Sequence, residues 1–328
     1  MDGVSRRDGG APTLRSGSVL SHRSMRDTTV AANDDCLAEL GSVPIVSRVT
    51  LETHFKGWAK PGPLASGLID GLAVAAAETL DAISGHFRLF QLRDGHRFST
   101  DDILTAWYGT SWCPTARTAL DLGSGIGTVG MIVAWRLPGA RLVTVEAQAE
   151  SVALARKSAR YNGVAERYEI RAGDFRDAGV LRAEEKFDLV TGSPPYFPPG
   201  TGVVSEHPQK LACRFELRGT IADYCATAAK HLALGGFFAC VFPTDAAQLA
   251  RVEAGAREAG LVIVRRRPVV FREGEPPLVG LFGMMRAGDL PEWFRGQTWV
   301  EPELIIRTRA GAIHPEYSAV KLAIGFPP

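Results

Sequence analysis

Residues 121–130 read Asp121-Leu-Gly-Ser-Gly-Ile-Gly-Thr-Val-Gly130. A short apolar strand pattern, 118–122, enters this run, and an apolar helix pattern, 128–137, leaves it. Gly125-Ile-Gly127-Thr-Val-Gly130 matches G-x-G-x-x-G, in which bare backbone approaches a ligand and turns tightly into a helix. Asp121 stands two residues before Gly123, so the full run is D-x-G-x-G-x-G. A carboxylate at the strand end suits a cationic ligand better than a pyrophosphate.

Outward from this turn the chain alternates. Strands are expected at 118–122, 141–145, 168–171, 187–191 and 237–242. Helices are expected at 128–137, 149–161, 221–234 and 246–259, stopped in turn by Pro138-Gly139, Asn162-Gly163, Gly235-Gly236 and Gly260. Segments 261–271 and 278–285, joined by Arg272-Glu-Gly-Glu-Pro-Pro277, read as a closing hairpin. Repeated strand–helix units give an α/β fold: a doubly wound, seven-stranded, mostly parallel sheet with an antiparallel edge hairpin. Upstream, 64–84 has helical apolar spacing and 87–92 alternates like a strand. Asp94-Gly95 signals a turn to a return strand at 96–98, and Ser99 to Asp102 cap a helix over 103–112. Three regions follow: a leader at 1–45 too polar to order itself, a helix and hairpin cap at 46–112, and the main domain at 113–328.

The bulk composition narrows the class. The 328 residues are 45% hydrophobic, and 37 Lys plus Arg face 36 Asp plus Glu. Any affinity for nucleic acid must therefore come from a local patch. Cys36, Cys113, Cys213, Cys225 and Cys240 are widely spaced with no CxxC pair, which argues for free thiols in a reducing compartment. The seven histidines have no metal spacing, so no metal is expected. No apolar run is long enough for a membrane span. The leader has arginines and serines, with Asp2, Asp8 and Asp27 among them, and no apolar core, so it is not a secretory signal. A cytoplasmic location is expected.

Two more acids follow strands. Glu146 lies 21 residues after Gly125 and can accept both hydroxyls of a ribose. Asp174, in Gly-Asp-Phe, can accept from an adenine amino group while Phe175 packs on the ring. Asp121, Glu146 and Asp174 thus end three consecutive strands, the edge where open α/β sheets bind ligands. S-adenosylmethionine fits such a row, since it carries an ammonium and a sulfonium and no phosphate.

The fourth strand runs into Ser193-Pro-Pro-Tyr-Phe197. An amino group conjugated to a ring or carbonyl is a poor nucleophile because its lone pair is delocalised. Two acceptors aimed at its N–H groups draw the nitrogen towards tetrahedral geometry. Ser193 supplies a side-chain oxygen and Pro194 a carbonyl, and the Pro194-Pro195 pair stiffens the platform without a competing donor. Tyr196 can stack on the target ring for about 1–3 kcal/mol. Catalysis of this kind is positioning and electrostatics.

These residues resemble the class I S-adenosylmethionine-dependent methyltransferases of the Asn/Asp-Pro-Pro-Tyr type, which have a Rossmann-like fold. The resemblance is strongest to the bacterial tRNA adenine-N6 methyltransferases that modify valine tRNA beside the anticodon. It covers roughly 87–328, including Arg97-Phe-Ser-Thr-Asp101, Asp121-Leu-Gly-Ser-Gly125, Glu146, Asp174, Pro194-Pro-Tyr-Phe197 and His314-Pro-Glu-Tyr-Ser318. It implies a tRNA substrate, and it implies that Thr100 and Asp101 lie over the cofactor's methionine end. Ser193 stands where that family usually has Asn. Ser-Pro-Pro-Tyr is typical of enzymes acting on cytosine N4, and the same device serves enzymes that methylate a glutamine amide.

Phe197, Lys210, Arg214 and Arg218 follow closely enough to grip a substrate, the three cations on phosphates. Arg265-Arg-Arg267 and Arg272 are further candidates near the closing hairpin. An oxidoreductase would need a Tyr-Lys or His pair after the fourth strand, where Ser-Pro-Pro stands. A small amine is a further target open to an N-methyltransferase. A binding module that keeps the fold but not turnover is the alternative from another class, and the intact cofactor turn argues against it.

Overall fold

A computed structural model describes residues 52–198, Gln209, Cys213 and 215–327. The expected leader, 1–45, lies outside the described residues. A two-stranded ribbon, β1 (His54–Phe55) and β2 (Trp58–Ala59), comes first. A hairpin follows, β3 (Glu78–Ser84) and β4 (Phe87–Leu92), then α1 (Thr100–Trp112). Next come β5 (Thr118–Leu122), α2 (Thr128–Arg136), β6 (Arg141–Glu146), α3 (Ala149–Tyr161), β7 (Tyr168–Ala172) and β8 (Phe187–Gly192). The chain ends with α4 (Ile221–His231), β9 (Leu232–Pro243), α5 (Ala246–Glu258), β10 (Leu261–Val270), β11 (Val279–Arg286), the short β12 (Trp299–Val300) and β13 (Leu304–Ile305), and α6 (Pro315–Ala323).

The main sheet runs β12-β10-β11-β9-β8-β5-β6-β7, with β13 also on β10. Strands β5 to β9 pair in parallel. β11 is antiparallel to both β9 and β10. The antiparallel strand therefore sits inside the hairpin's half of the sheet, and β12 and β13 extend the margin in parallel with β10. The seven long strands and their helices make the Rossmann-like α/β fold that the alternation implies. Both faces are covered, and β9 shows it residue by residue. Phe237, Ala239 and Val241 pack with α1 and α2, whereas Phe238, Cys240 and Phe242 pack with α4 and α5. No helix among the described residues is long and apolar enough to cross a membrane.

The segment before α1 departs from the reading. No helix forms at 64–84: Gly67 and Gly71 adopt positive φ (79° and 73°) within 64–77, and 78–84 is the extended β3. β4 pairs backward with β3, Ser84 opposite Phe87, and not forward with 96–98. The amides of that forward segment are taken by side chains: His96 N–H donates to Gln209 Oε1 at 2.8 Å and Phe98 N–H to Gln91 Oε1 at 2.9 Å. The free edge of β4 is closed by α3. Asn162 bonds both the N–H and the carbonyl of Arg88, and Ser158 Oγ accepts from Phe90 N–H. α4 also stops three residues short of the expected end, since Leu232 is already extended.

The sheet order reverses at β5, flanked by β6 on one side and β8 on the other. The crevice at the C-terminal ends of these strands is the position where such sheets hold ligands.

Candidate active site

The turn after β5 puts Gly123, Gly125 and Gly127 at φ 60°, 55° and 88°, left-handed conformations that disfavour any side chain. Each glycine has its own neighbour. A Cβ on Gly123 would lie 2.1 Å from Tyr224 Oη, and one on Gly127 would lie 3.2 Å from Ala155 Cβ. A Cβ on Gly125 would meet no heavy atom within 4 Å, because that residue faces a cavity of about 280 Å³. Gly127 is the N-cap of α2 and supports the turn from behind.

Glu146, at the end of β6, fixes this turn. Its Oε2 accepts from Gly125 N–H at 2.8 Å and its Oε1 from Gln148 N–H at 2.7 Å. Each oxygen keeps a second lone pair, so a diol can still be held. Burial raises the Glu146 carboxyl above its usual range, and the two amide bonds work against that shift. Asp121 is deeper. Its Oδ1 accepts from Thr191 Oγ1 at 2.8 Å, and its Oδ2 has no hydrogen-bond partner among the described residues. Burial pushes its pKa up to about 7, and the charges of Asp102 and Glu146 add to the rise. An orphaned carboxylate oxygen at a cavity wall is suited to a cation.

Asp174 follows β7 and also lines the cavity, but both of its oxygens are engaged by the Arg176 guanidinium, at 2.9 and 2.6 Å. That hydrogen-bonded pair holds its carboxyl below the usual range. Phe175 packs edge-on to Tyr224, with ring centroids 4.7 Å apart.

The Ser193–Phe197 segment closes the other side. All five of its residues line the same cavity as the glycine turn. Ser193 Oγ is 3.4 Å from Thr105 Oγ1. The Tyr196 phenol donates to Asp101 Oδ2 at 2.6 Å, its ring stands edge-on to Phe242 at 5.5 Å, and Gln248 holds its carbonyl at 3.2 Å. Phe197 stays exposed beside Phe215. α1 contributes because Ser99 and Asp102 form a capping box that fixes its first turn at the cavity wall.

Asp101, Asp121, Gly123, Gly125, Glu146, Asp174, Phe175, Ser193, Pro194, Pro195, Tyr196, Phe197 and Arg218 therefore share one cavity. Thr100 does not: it lies on the Tyr317 side of α1, since neighbouring residues on a helix point about 100° apart. Arg218 lines the cavity on the side of Glu146 and Asp174. Lys210 and Arg214 lie outside the described residues. Arg265 is committed elsewhere, between the rings of Trp112 and Trp299 with its Nε on Glu301. Arg267 lies over Trp107, and Arg272 pairs with Glu275. The sequence reading missed Gln148, Cys213 and Tyr224, which also line the cavity. Only Tyr224 carries a local signal, as the buried face of an amphipathic helix opposite a glycine turn.

The residues present fit S-adenosylmethionine. Five carboxylates (Asp101, Asp102, Asp121, Glu146 and Asp174) line the cavity, Glu146 keeps lone pairs for a diol, and bare backbone at Gly125 leaves room for a ligand.

Residues 108–211 match the family model described as Methyltransferase small domain. A Bacteroides thetaiotaomicron protein named tRNA1(Val) (adenine(37)-N6)-methyltransferase is 29% identical over 189 residues, covering 55% of this chain and 73% of that protein. A Chlorobaculum tepidum protein named release factor glutamine methyltransferase is 38% identical over 80 residues, covering 24% of this chain and 27% of that protein. The crystal structure of an Agrobacterium tumefaciens protein described as a predicted O-methyltransferase superposes with a TM-score of 0.51 at 19% identity, covering 69% of this chain and 98% of that one, and shares the fold. With its Rossmann-like sheet, its match to that family model over residues 108–211 and its likeness to the Bacteroides protein, the chain is an S-adenosylmethionine-dependent methyltransferase.

Proposed function

We propose that this enzyme methylates an exocyclic amino nitrogen of a nucleobase, adenine N6 in tRNA, and that it does so in the cytoplasm. One observation carries the reading: Ser193 and Pro194 line the cavity that also holds the glycine turn and Glu146. The name of the Bacteroides relative supports the choice of base and of tRNA.

In this reading Glu146 holds the ribose of the cofactor, Asp121 its cationic end, and Phe175 with Asp174 its adenine. The bound cofactor supplies an electrophilic methyl group on a sulfonium. Ser193 Oγ and the Pro194 carbonyl accept the two N–H groups of the target and free its lone pair. Pro195 keeps that corner stiff, and Tyr196 and Phe197 offer rings to the base. As the nitrogen–methyl bond forms and the methyl–sulfur bond breaks, the nitrogen gains a positive charge, and its surplus proton then leaves to water. Lys210 and Arg214 take backbone phosphates, whereas Arg218 serves the cofactor side.

The test is to incubate the protein with labelled cofactor and separate tRNA, rRNA, DNA and protein fractions, then digest and identify the product. N6-methyladenosine in tRNA is expected. A label on cytosine N4 or on a glutamine amide overturns the choice of target.

A further inference from the structure

A serine hydroxyl is an ambiguous partner for an amino group. It can accept from N–H, or it can turn its own proton onto the nitrogen lone pair and block the nucleophile. The surroundings of Ser193 remove that ambiguity. Thr105 lies one turn into α1 and is fully buried. Its hydroxyl donates to the Asp101 carbonyl at 2.8 Å, which uses its only proton. The same oxygen is 3.4 Å from Ser193 Oγ. With the threonine proton committed, that contact has one direction: Ser193 donates and Thr105 accepts. The serine proton then points away from the cavity, and its lone pairs are left for a ligand.

We infer that Thr105 is a positioning residue that makes Ser193 an obligate acceptor, so that the site takes a donor group and rejects a carbonyl oxygen at the same place. The inference rests on the proposed N-methylation and deepens it. It also explains how a short hydroxyl side chain can perform a task that needs a fixed acceptor. Asp101 emerges as the common anchor, since its carbonyl sets Thr105 and its carboxylate holds Tyr196.

The test has two arms. In the first, Thr105→Val lowers kcat about tenfold while cofactor Kd and the substrate KM stay within about twofold, and Thr105→Ser restores the rate. In a Ser193→Ala background, Thr105→Val has no further effect, because the hydroxyl it would orient is gone. A merely structural threonine would instead lower the rate equally in both backgrounds and depress Tm with it. The second arm needs no turnover. With S-adenosylhomocysteine bound, the wild type prefers adenosine over inosine, and cytidine over uridine, by about tenfold. Thr105→Val narrows both ratios to about threefold or less, because a freed serine can donate to the carbonyl. Additive losses in the first arm, or unchanged ratios in the second, overturn the inference. A wild type that methylates a glutamine amide in place of a base overturns the choice of target alone, and the first arm is then read on that amide.

Discussion

The phenol of Tyr196 donates to Asp101 Oδ2 across 2.6 Å and so ties the first turn of α1 to the loop that leaves β8. Both groups are half-buried. Burial raises the carboxyl of Asp101 and, with the charge of Asp101 beside it, raises the phenol of Tyr196 well above its usual value. The proton therefore stays on the phenol, and the aromatic ring of the Ser-Pro-Pro-Tyr corner is held from the rear by a carboxylate.

Tyr196→Phe keeps the ring and removes this donor. Leaving a half-buried carboxylate without it costs about 1–3 kcal/mol. The expected result is a fall of a few degrees in Tm and about a tenfold loss of kcat, with cofactor Kd nearly unchanged. Thermal melts and single-turnover rates check it. A variant as stable and as fast as the wild type would show that the bridge carries nothing.

Glu146→Gln has a different signature. The carboxylate accepts two backbone amides through two oxygens, but a carboxamide has only one acceptor oxygen and presents N–H groups in place of the other. Either Gly125 or Gln148 then loses its partner. Hydrogen bonds to charged groups are worth about 1.5–3 kcal/mol, so cofactor Kd should rise between about tenfold and about a hundredfold. Calorimetry on the variant decides it, and a Kd within about twofold of wild type would remove Glu146 from the site.

The glycines should separate stability from binding. Gly123→Ala drives a methyl group into Tyr224 Oη at 2.1 Å, so Tm falls and Tyr224→Phe in the same chain partly restores it. Gly125→Ala has open space around the new methyl group. It suffers only the strain of its positive φ, of order 1 kcal/mol, but the methyl group occupies the cofactor's room. Its Tm should fall less than that of Gly123→Ala, and its cofactor affinity should fall at least as much. Paired melts and titrations read both effects, and equal losses in the two variants would contradict the assignment.

Much of this was legible in the sequence because it is periodic or local. β5 is found where the apolar run 118–122 places it, and α3 where Asn162-Gly163 stops it. Hydrophobic period and glycine stops act within one segment. What escaped depends on distance. Tyr224 fits beneath Gly123 and Gly192 only because β5, β8 and α4 converge. Ser193 meets Thr105 across 88 residues of sequence. Small apolar residues at 64–77 imitate a helix, yet the glycines among them take positive φ, and of these residues Ala65 and Leu72 pack into the cluster around Phe90 and Tyr161. Asp174 could be placed at the rim by its strand, but not its engagement by Arg176, which depends on how the loop turns back.

Asp121 gives the enzyme a pH response with a defined sign. Its folded pKa is about 7, well above the value near 4 of an exposed aspartate. Below about pH 4 both folded and unfolded chains hold the proton, and the burial has no ionic cost. As pH rises the unfolded chain ionises first, so stability contributed by the protonated form is lost up to about pH 7 and then levels off. A cation bound against Oδ2 reverses the balance, because it favours the ionised carboxylate. Cofactor affinity should therefore strengthen about tenfold between about pH 6 and about pH 8, whereas the apoprotein loses stability between about pH 4 and about pH 7. Asp121→Asn keeps an acceptor for Thr191 and abolishes the ionisation. In that variant the pH dependence of Kd should flatten and the loss of Tm between about pH 4 and about pH 7 should shrink. Titrations from about pH 6 to about pH 8 and melts from about pH 4 to about pH 7 test both halves, and a slope of Kd that survives in Asp121→Asn would assign the response to another group.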